Sequence, residues 1–478
     1  MGENIKKLLL LVFLLPAPMT SLQAAGILRV SPTNPRYFTD DSGKAIYMTG
    51  SHTWFMIQGN TANRQSDISY QHMENYLNWV ASYDHNFQRV WANFSYCNID
   101  GPFPWNRPGP GTALCGGPKF DMSSFNQSYF DTLRERVLQV TNRGMYASIM
   151  LFGSGVAMKT GWDQIAWNPA NNINTELAVF GTAKTSENSF YTSNSSALAL
   201  QQALARKMID TLNDIDNLIL EVINEGQLPE GEVWQNNMID YISSYEKTKP
   251  KQHLVLMSGC GCDPGRVLFN SKADCISPDG AGSYTFQEGG DANYTAKIII
   301  NDTDHVGGYS VPGEAEIYRK WVWKAFARGT HPLFMDSYNA YVAVDGVVLN
   351  NGTIMPIFDP VRKAMGRTKI YADRMVLNST IPSTTLCSTR YCLINAGNEY
   401  FFYQPNTGQF TATIVAGDYN YEWYNPVSGV VVATGTVTAT GASQGFTPPF
   451  SGDAVLFLKK APSPTSNSPA APSGLVVQ

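Results

Sequence analysis

The chain has 478 residues, 43% of them apolar and 15% charged, with a net charge of −5. That length exceeds one average domain and implies one large domain plus a smaller one, with ample apolar content for both cores. No cluster of Lys or Arg forms a binding stripe, which argues against nucleic acid as a partner.

Taken from the N-terminus, residues 1–25 have the layout of a secretory signal peptide. Lys6 and Lys7 precede the apolar run Leu8–Leu15, and the small residues Ala24 and Ala25 follow. A membrane anchor needs roughly 20 apolar residues, and no second such stretch occurs, so an exported chain with no transmembrane anchor is expected. All seven cysteines lie beyond this segment, and in an exported protein they read as disulfides. Cys387 and Cys392 flank a predicted hairpin turn and form the best pair. Cys97 with Cys115 would staple one loop, and Cys275 could take Cys260 or Cys262, which leaves one cysteine over. Zinc at Cys260-Gly261-Cys262 is disfavoured because no second pair or His cluster has ligand spacing. No metal and no cofactor are expected.

From about residue 45 to 370 a β-then-α rhythm repeats. Eight short apolar or β-rich segments read as strands: 45–50, 87–93, 146–152, 218–224, 253–258, 274–278, 297–302 and 332–336. Between them Phe130, Leu133, Val137 and Val140 recur at helical spacing, as do Leu200, Leu204, Met208 and Leu212, and Ile317, Trp321 and Ala325 before Arg328-Gly329. Eight strands alternating with helices point to a parallel barrel or a doubly wound sheet, and their count and the length favour an α/β (β/α)₈ TIM barrel over residues 27–372, with stunted or irregular helices in the fifth and sixth units. Residues 153–195, rich in Asn, Thr, Ser and Trp, follow the third strand and read as a wall of the cleft. After residue 375 short β-rich runs alternate with turns such as Asn425-Pro426-Val427-Ser428-Gly429, the pattern of a separate all-β sandwich domain over residues 375–460. Residues 461–478 read as a Pro/Ser-rich linker or tail. Aromatics make up 12% of the chain, fitting either large cores or surfaces on which sugar rings stack.

Barrel enzymes carry their chemistry at the C-terminal ends of the strands. Those ends present His52 and Trp54; Arg89, Trp91 and Asn93 on one face; Asn224 and Glu225; Tyr284; Asp302, Asp304 and His305; and Asp336. Two carboxylates across a barrel mouth are what glycoside cleavage requires: one protonates the leaving oxygen, the other attacks or activates water. Glu225 is the foremost candidate, since a carboxylate after six mostly apolar strand residues is costly unless it reaches the cleft or a partner. Asp304 is favoured as the second carboxylate, ahead of Asp302 and Asp336, because it lies farther toward the cleft. Arg89 is suited to align a carboxylate by charge-assisted hydrogen bonds. Asn224 and Asp336 are candidates to hold sugar hydroxyls, and Asp302 to hold one or to orient an arginine. His52, Trp54, Trp91, Asn93, Tyr284 and His305 are candidates for the subsite walls.

The pair Asn224-Glu225 after strand four resembles the clan of retaining barrel glycosidases. More specifically, Asn34-Pro35-Arg36-Tyr37, Asp41-Ser42-Gly43-Lys44, Gly50-Ser51-His52-Thr53-Trp54, Asp302-Thr303-Asp304-His305, Trp321–Phe326 and Phe334-Met335-Asp336 resemble the apiosidase-like barrel family. Glu422-Trp423-Tyr424-Asn425-Pro426 is similar to the small β domain of such proteins that is named for collagen binding. The resemblance spans roughly residues 27–460. It implies a glycoside hydrolase of polysaccharides or oligosaccharides with Glu225 as acid/base. The wider clan carries Glu at the end of strand seven where this chain has Asp. A non-catalytic carbohydrate- or collagen-binding protein on a degenerate barrel is the alternative. A serine esterase or metallopeptidase is disfavoured by the absence of Gly-x-Ser-x-Gly and His-Glu-x-x-His. Sugar, linkage, stereochemical course and oligomeric state are not fixed by the sequence.

Overall fold

The computed structural model describes residues 26–462 except 53–55, 60–67, 93–95, 98, 156–160, 184–188, 228–230, 260–266, 279–285, 295, 303–313, 337–341, 345–346 and 350–357. Eight parallel strands close into a barrel: β1 (Gly50–His52), β2 (Phe87–Val90), β3 (Tyr146–Ser154), β4 (Leu218–Asn224), β5 (Leu254–Ser258), β6 (Cys275–Ser277), β7 (Ile298–Asp302) and β8 (His331–Met335). Each pairs with the next, and β8 pairs with β1. The first strand lies later than the 45–50 expected, because Ile46 is drawn into a bridge with Phe38. Phe38 belongs to the small hairpin Arg29–Val30/Phe38–Thr39, which carries Leu28 and Phe38 into the apolar cluster at the N-terminal end of the barrel.

Helices coat the barrel: α1 (Tyr70–Ala81), α2 (Gln127–Thr141), α3 (Ser195–Leu212), α4 (Glu232–Glu246), the single turn α5 (Val267–Asn270), α6 (Glu314–Ala327) and α7 (Asp359–Arg374). Their starts follow local chemistry. Ser69 Oγ accepts from His72 N at the head of α1, and Asn194 Oδ1 accepts from Ser196 N and Ala197 N at the head of α3. Gly329, at φ +69°, lets the chain leave α6 in a left-handed turn. Among the described residues the fifth unit keeps only α5, and the sixth only a 3₁₀ turn at Phe286–Glu288. Ile317, placed on the apolar stripe of α6 by its spacing, is instead an exposed residue of that helix.

Inside the barrel the period of two along each strand sorts the residues into layers. Met48, Phe87, Ile219, Leu254, Leu256, Cys275, Ile298, Ile300 and Leu333 fill the lower layers. Cys275 is therefore a buried free thiol in the strand wall rather than half of a disulfide, and Cys260 and Cys262 lie outside the described residues. Burial holds its proton well above the ordinary thiol range. The pairs Cys97–Cys115 and Cys387–Cys392 are both disulfides, with Cα separations of 5.9 and 6.5 Å.

The C-terminal region is antiparallel: β9 (Ile381–Ser383), β10 (Cys392–Asn395), β11 (Glu399–Gln404), β12 (Phe410–Thr413), β13 (Gly417–Asn425), β14 (Val430–Ala439), β15 (Ser443–Phe446) and β16 (Ala454–Lys460). Six of these strands form one sheet in the order β9-β10-β11-β16-β13-β14, and β12 pairs with β15. Alternation gives the larger sheet two buried faces. Tyr400, Phe402, Leu456 and Leu458 pack against Phe410 and Phe446 of the β12–β15 pair. Phe401, Tyr403, Tyr424, Val455 and Phe457 turn the other way and join the core around the barrel helices. The two units expected to be separate thus share an apolar cluster that runs through Tyr371, Ala372, Met375 and Leu377. Trp323 of α6 is at its centre, with ring centroids 5.6 Å from Tyr424 and 6.1 Å from Phe401. The buried pair Arg319–Asp453, with Tyr403 Oη donating to Asp453 at 3.0 Å, ties the same junction.

Candidate active site

Above the apolar layers the barrel interior becomes polar. Arg89, two residues beyond Phe87 on β2, sends its guanidinium across the lumen. Its Nε donates to Glu221 Oε2 at 2.8 Å and its Nη2 to Glu221 Oε1 and Asn224 Oδ1, while Nη1 donates to Asp302 Oδ2 at 2.9 Å. Arg89, Glu221 and Asp302 are almost fully buried, with side chains 4%, 0% and 2% exposed. Buried charges persist only when paired and hydrogen-bonded, and one cation here serves two carboxylates on β4 and β7. Ser148 of β3 adds a hydroxyl 3.3 Å from Glu221 Oε2.

His52, at the end of β1, reaches the same cluster. Its Nε2 is 3.0 Å from Asp302 Oδ2, and its Nδ1 accepts from Trp91 Nε1 at 3.1 Å. Trp91 also lies under the Arg89 guanidinium, 5.8 Å from its carbon.

Glu225 follows β4 with φ +47°, one of three non-glycine residues with positive φ among the described residues. Such backbone is costly for a side-chain-bearing residue and concentrates where function requires it. The turn is anchored: Glu225 N donates to Ser258 Oγ at 2.9 Å, and Ser258 Oγ donates to Ile223 O at 3.0 Å. A Cβ at Gly226 would stand 2.4 Å from Gln235 Nε2, so a side chain there would have to displace that buried amide. The Glu225 residue is half-buried, and its Oε2 accepts from Asn224 Nδ2 at 3.0 Å. Asn224 thereby couples Glu225 to Arg89.

The structure brings His52, Arg89, Trp91, Asn224, Glu225 and Asp302 together at one end of the barrel. Asp336 adjoins the cluster through its backbone, its N donating to His52 O at 2.8 Å, while its fully buried carboxylate accepts from Arg362 Nε and Nη2 at 2.7 Å each. Trp54, Asn93, Tyr284, Asp304 and His305 lie outside the described residues. Glu221 was not singled out from the sequence, although a lone carboxylate among Leu220, Val222 and Ile223 signals a buried cationic partner. Ser148, Ser258 and Arg362 were missed as well, and small hydroxyls and a helix arginine carry no such signal.

The long segment after β3 uses its aromatics for packing. Trp162, Trp167, Phe180 and Phe190 are fully buried, and Asn168, Asn171 and Asn172 donate side-chain N–H groups to backbone carbonyls of the same segment. Every Trp among the described residues apart from the partly buried Trp79 is buried. Among the described residues no group of His, Cys, Asp and Glu has the makings of a metal site, and no helix is long and apolar enough to cross a membrane.

No family model matches the sequence, and no curated protein matches it. Among solved structures the chain is similar to one described as a glycoside hydrolase, with a TM-score of 0.61 at 14% identity, covering 91% of this chain and 97% of that one. It is also similar to a glycoside hydrolase family 5 protein from Bacteroides vulgatus ATCC 8482, with a TM-score of 0.62 at 15% identity, covering 91% of this chain and 94% of that one. At such identities the likeness is one of fold, and it extends through barrel and sheet alike.

Proposed function

We propose that this chain is a secreted glycoside hydrolase that cleaves O-glycosidic bonds of a polysaccharide or oligosaccharide with two carboxylates. One observation carries the reading: Glu225, on a strained and anchored turn at the C-terminal end of β4, is linked through Asn224 and Arg89 to a carboxylate at the end of β7. Opposed carboxylates in a barrel mouth are the requirement for this chemistry. The likeness in fold to two proteins named glycoside hydrolases supports it.

In this reading Glu225 protonates the leaving oxygen and Asn224 orients it. Asp304, two residues beyond β7 in the sequence, is the second carboxylate. Arg89 holds Asp302 and Asn224 in place, and His52 and Trp91 complete that support. A second reading exchanges Asp302 for Asp304, because Arg89 Nη1 and His52 Nε2 converge on Asp302 Oδ2, as donors do around a carboxylate kept ionised. The layout of residues 1–25 and the two disulfides support export.

The test is hydrolysis of a panel of plant and microbial polysaccharides, with 4-nitrophenyl glycosides alongside. Glu225→Gln is expected to keep more activity on an aryl glycoside than on a glycan, since a good leaving group departs without a proton. Asp304→Asn is expected to be inactive on both; an active Asp304→Asn beside a dead Asp302→Asn selects the second reading. A carboxyl separation of about 5–5.5 Å would mark retention and roughly 6.5–9.5 Å inversion. Full activity in Glu225→Ala would remove the glycosidase reading altogether.

A further inference from the structure

An indole N–H only donates, so the contact from Trp91 Nε1 to His52 Nδ1 fixes where the imidazole carries its hydrogen. The nitrogen that accepts has no proton, and the ring hydrogen sits on Nε2. The two ring planes are 13° from parallel with centroids 6.2 Å apart, an arrangement that an edge-to-edge N–H···N hydrogen bond permits. Nε2 in turn points at Asp302 Oδ2, 3.0 Å away. His52 has no exposed side-chain surface, and Trp91 is 7% exposed, so water does not compete for either contact.

We propose that Trp91 is a positioning residue, which locks His52 as its Nε2–H tautomer and so commits the ring's hydrogen to Asp302. The idea deepens the glycosidase reading and rests on it for its effect on turnover, but the tautomer stands on geometry alone. With the lock in place Asp302 Oδ2 receives two donors from different strands, Arg89 Nη1 from β2 and His52 Nε2 from β1. That fixes the carboxylate's rotation as well as its place. Without the indole N–H, the imidazole is free to put its hydrogen on Nδ1. It then turns a lone pair toward a carboxylate that already repels it, and one of the two donors is lost. The sequence hides this arrangement, since His52 and Asp302 end two different strands, Trp91 follows a third, and a buried Trp reads as packing.

The first measurement needs no substrate. In protein labelled with ¹⁵N-histidine, with the His52 signals assigned from His52→Gln, the expected pattern is a bare Nδ1 and a protonated Nε2. In Trp91→Phe, which keeps an aromatic face near Arg89 but no donor, the two nitrogens are expected to move toward each other as the tautomers mix. A protonated Nδ1 in the unaltered protein, or unchanged His52 nitrogens in Trp91→Phe, overturns the proposal.

The second measurement uses the 4-nitrophenyl glycoside turned over fastest. Loss of one charge-assisted hydrogen bond corresponds to about a tenfold to hundredfold drop in kcat, with KM expected to stay within about twofold. Glutamine has no tautomers, so Trp91→Phe in a His52→Gln background is expected to cost nothing further. An equal cost in both backgrounds would mean that Trp91 acts by packing alone, and the proposal fails. Absence of hydrolysis by the unaltered protein sinks the glycosidase reading while the nitrogen signals still decide the tautomer.

Discussion

Replacing Arg89 by methionine removes the cation of the lumen while keeping most of the side chain's bulk. The guanidinium donates to four oxygens: both of Glu221, Oδ1 of Asn224 and Oδ2 of Asp302. Asp302 would retain His52 at 3.0 Å, but Glu221, fully buried, would keep only the hydroxyl of Ser148 at 3.3 Å. Breaking a buried pair from one side costs about 3–5 kcal/mol, because the abandoned charge stays in the interior. At roughly 2.1 cal/mol/K per residue, a cooperative unit of about 430 residues loses about 1 °C of Tm for each 0.9 kcal/mol. Arg89→Met is therefore expected to lower Tm by about 3–6 °C in calorimetry at neutral pH. Glu221→Gln added to it removes the stranded charge and should recover part of that loss. The two substitutions are then strongly non-additive, as contacting residues are. A Tm for Arg89→Met within about 1 °C of the unaltered protein, or simple additivity with Glu221→Gln, would refute the claim that these carboxylates depend on Arg89.

Two further predictions concern stability. Burial pushes the His85 and His331 imidazoles down to about 4 from the ordinary 6.5, so both are neutral in the folded protein and protonate first in the unfolded chain. Their contribution is complete above about pH 6.5 and is lost as the pH falls toward 4; by pH 5 it should cost about 2 kcal/mol for each, read from urea midpoints, and a flat profile from pH 7 to 5 would contradict it. Trp323→Ala opens a cavity between α6 and the C-terminal sheet and should cost about 3–5 kcal/mol. It should shift one shared calorimetric transition, whereas two separate transitions in the unaltered protein would show that barrel and sheet unfold independently.

The barrel is legible in the sequence because its strands are short runs of buried apolar residues, and runs such as Leu218–Ile223 leave few alternatives to a strand with both faces covered. Glu225 is singled out by the sequence because strand ends are where a barrel exposes chemistry, and the structure places it on an anchored turn after β4. Glu221 escaped because its role depends on Arg89, far away in the chain, and only the closed barrel brings the two together. Asp336 illustrates the same limit in reverse. Its position after β8 is that of a site residue, but Arg362, on a helix 26 residues later, takes both of its oxygens. The aromatic content reads equally well as sugar platforms or as core, and Trp162, Trp167 and Trp323 went to the core. The pattern of two within β11 is visible as Tyr400-Phe401-Phe402-Tyr403, four aromatics in a row, which already excludes a strand with one face in water.

That run has a consequence for how such chains are assembled over time. A module that trades freely between unrelated genes must arrive with its surfaces finished, so that any host will do. Here the sheet brings Phe401, Tyr403, Tyr424 and Phe457 to the boundary unfinished, and the barrel supplies Trp323, Phe326 and Tyr371 to complete them. Grafted onto a barrel without those partners, the sheet would carry an open aromatic face and recruit whatever apolar surface it met first. Cutting the chain near residue 375 would leave an open apolar face on each of the two products.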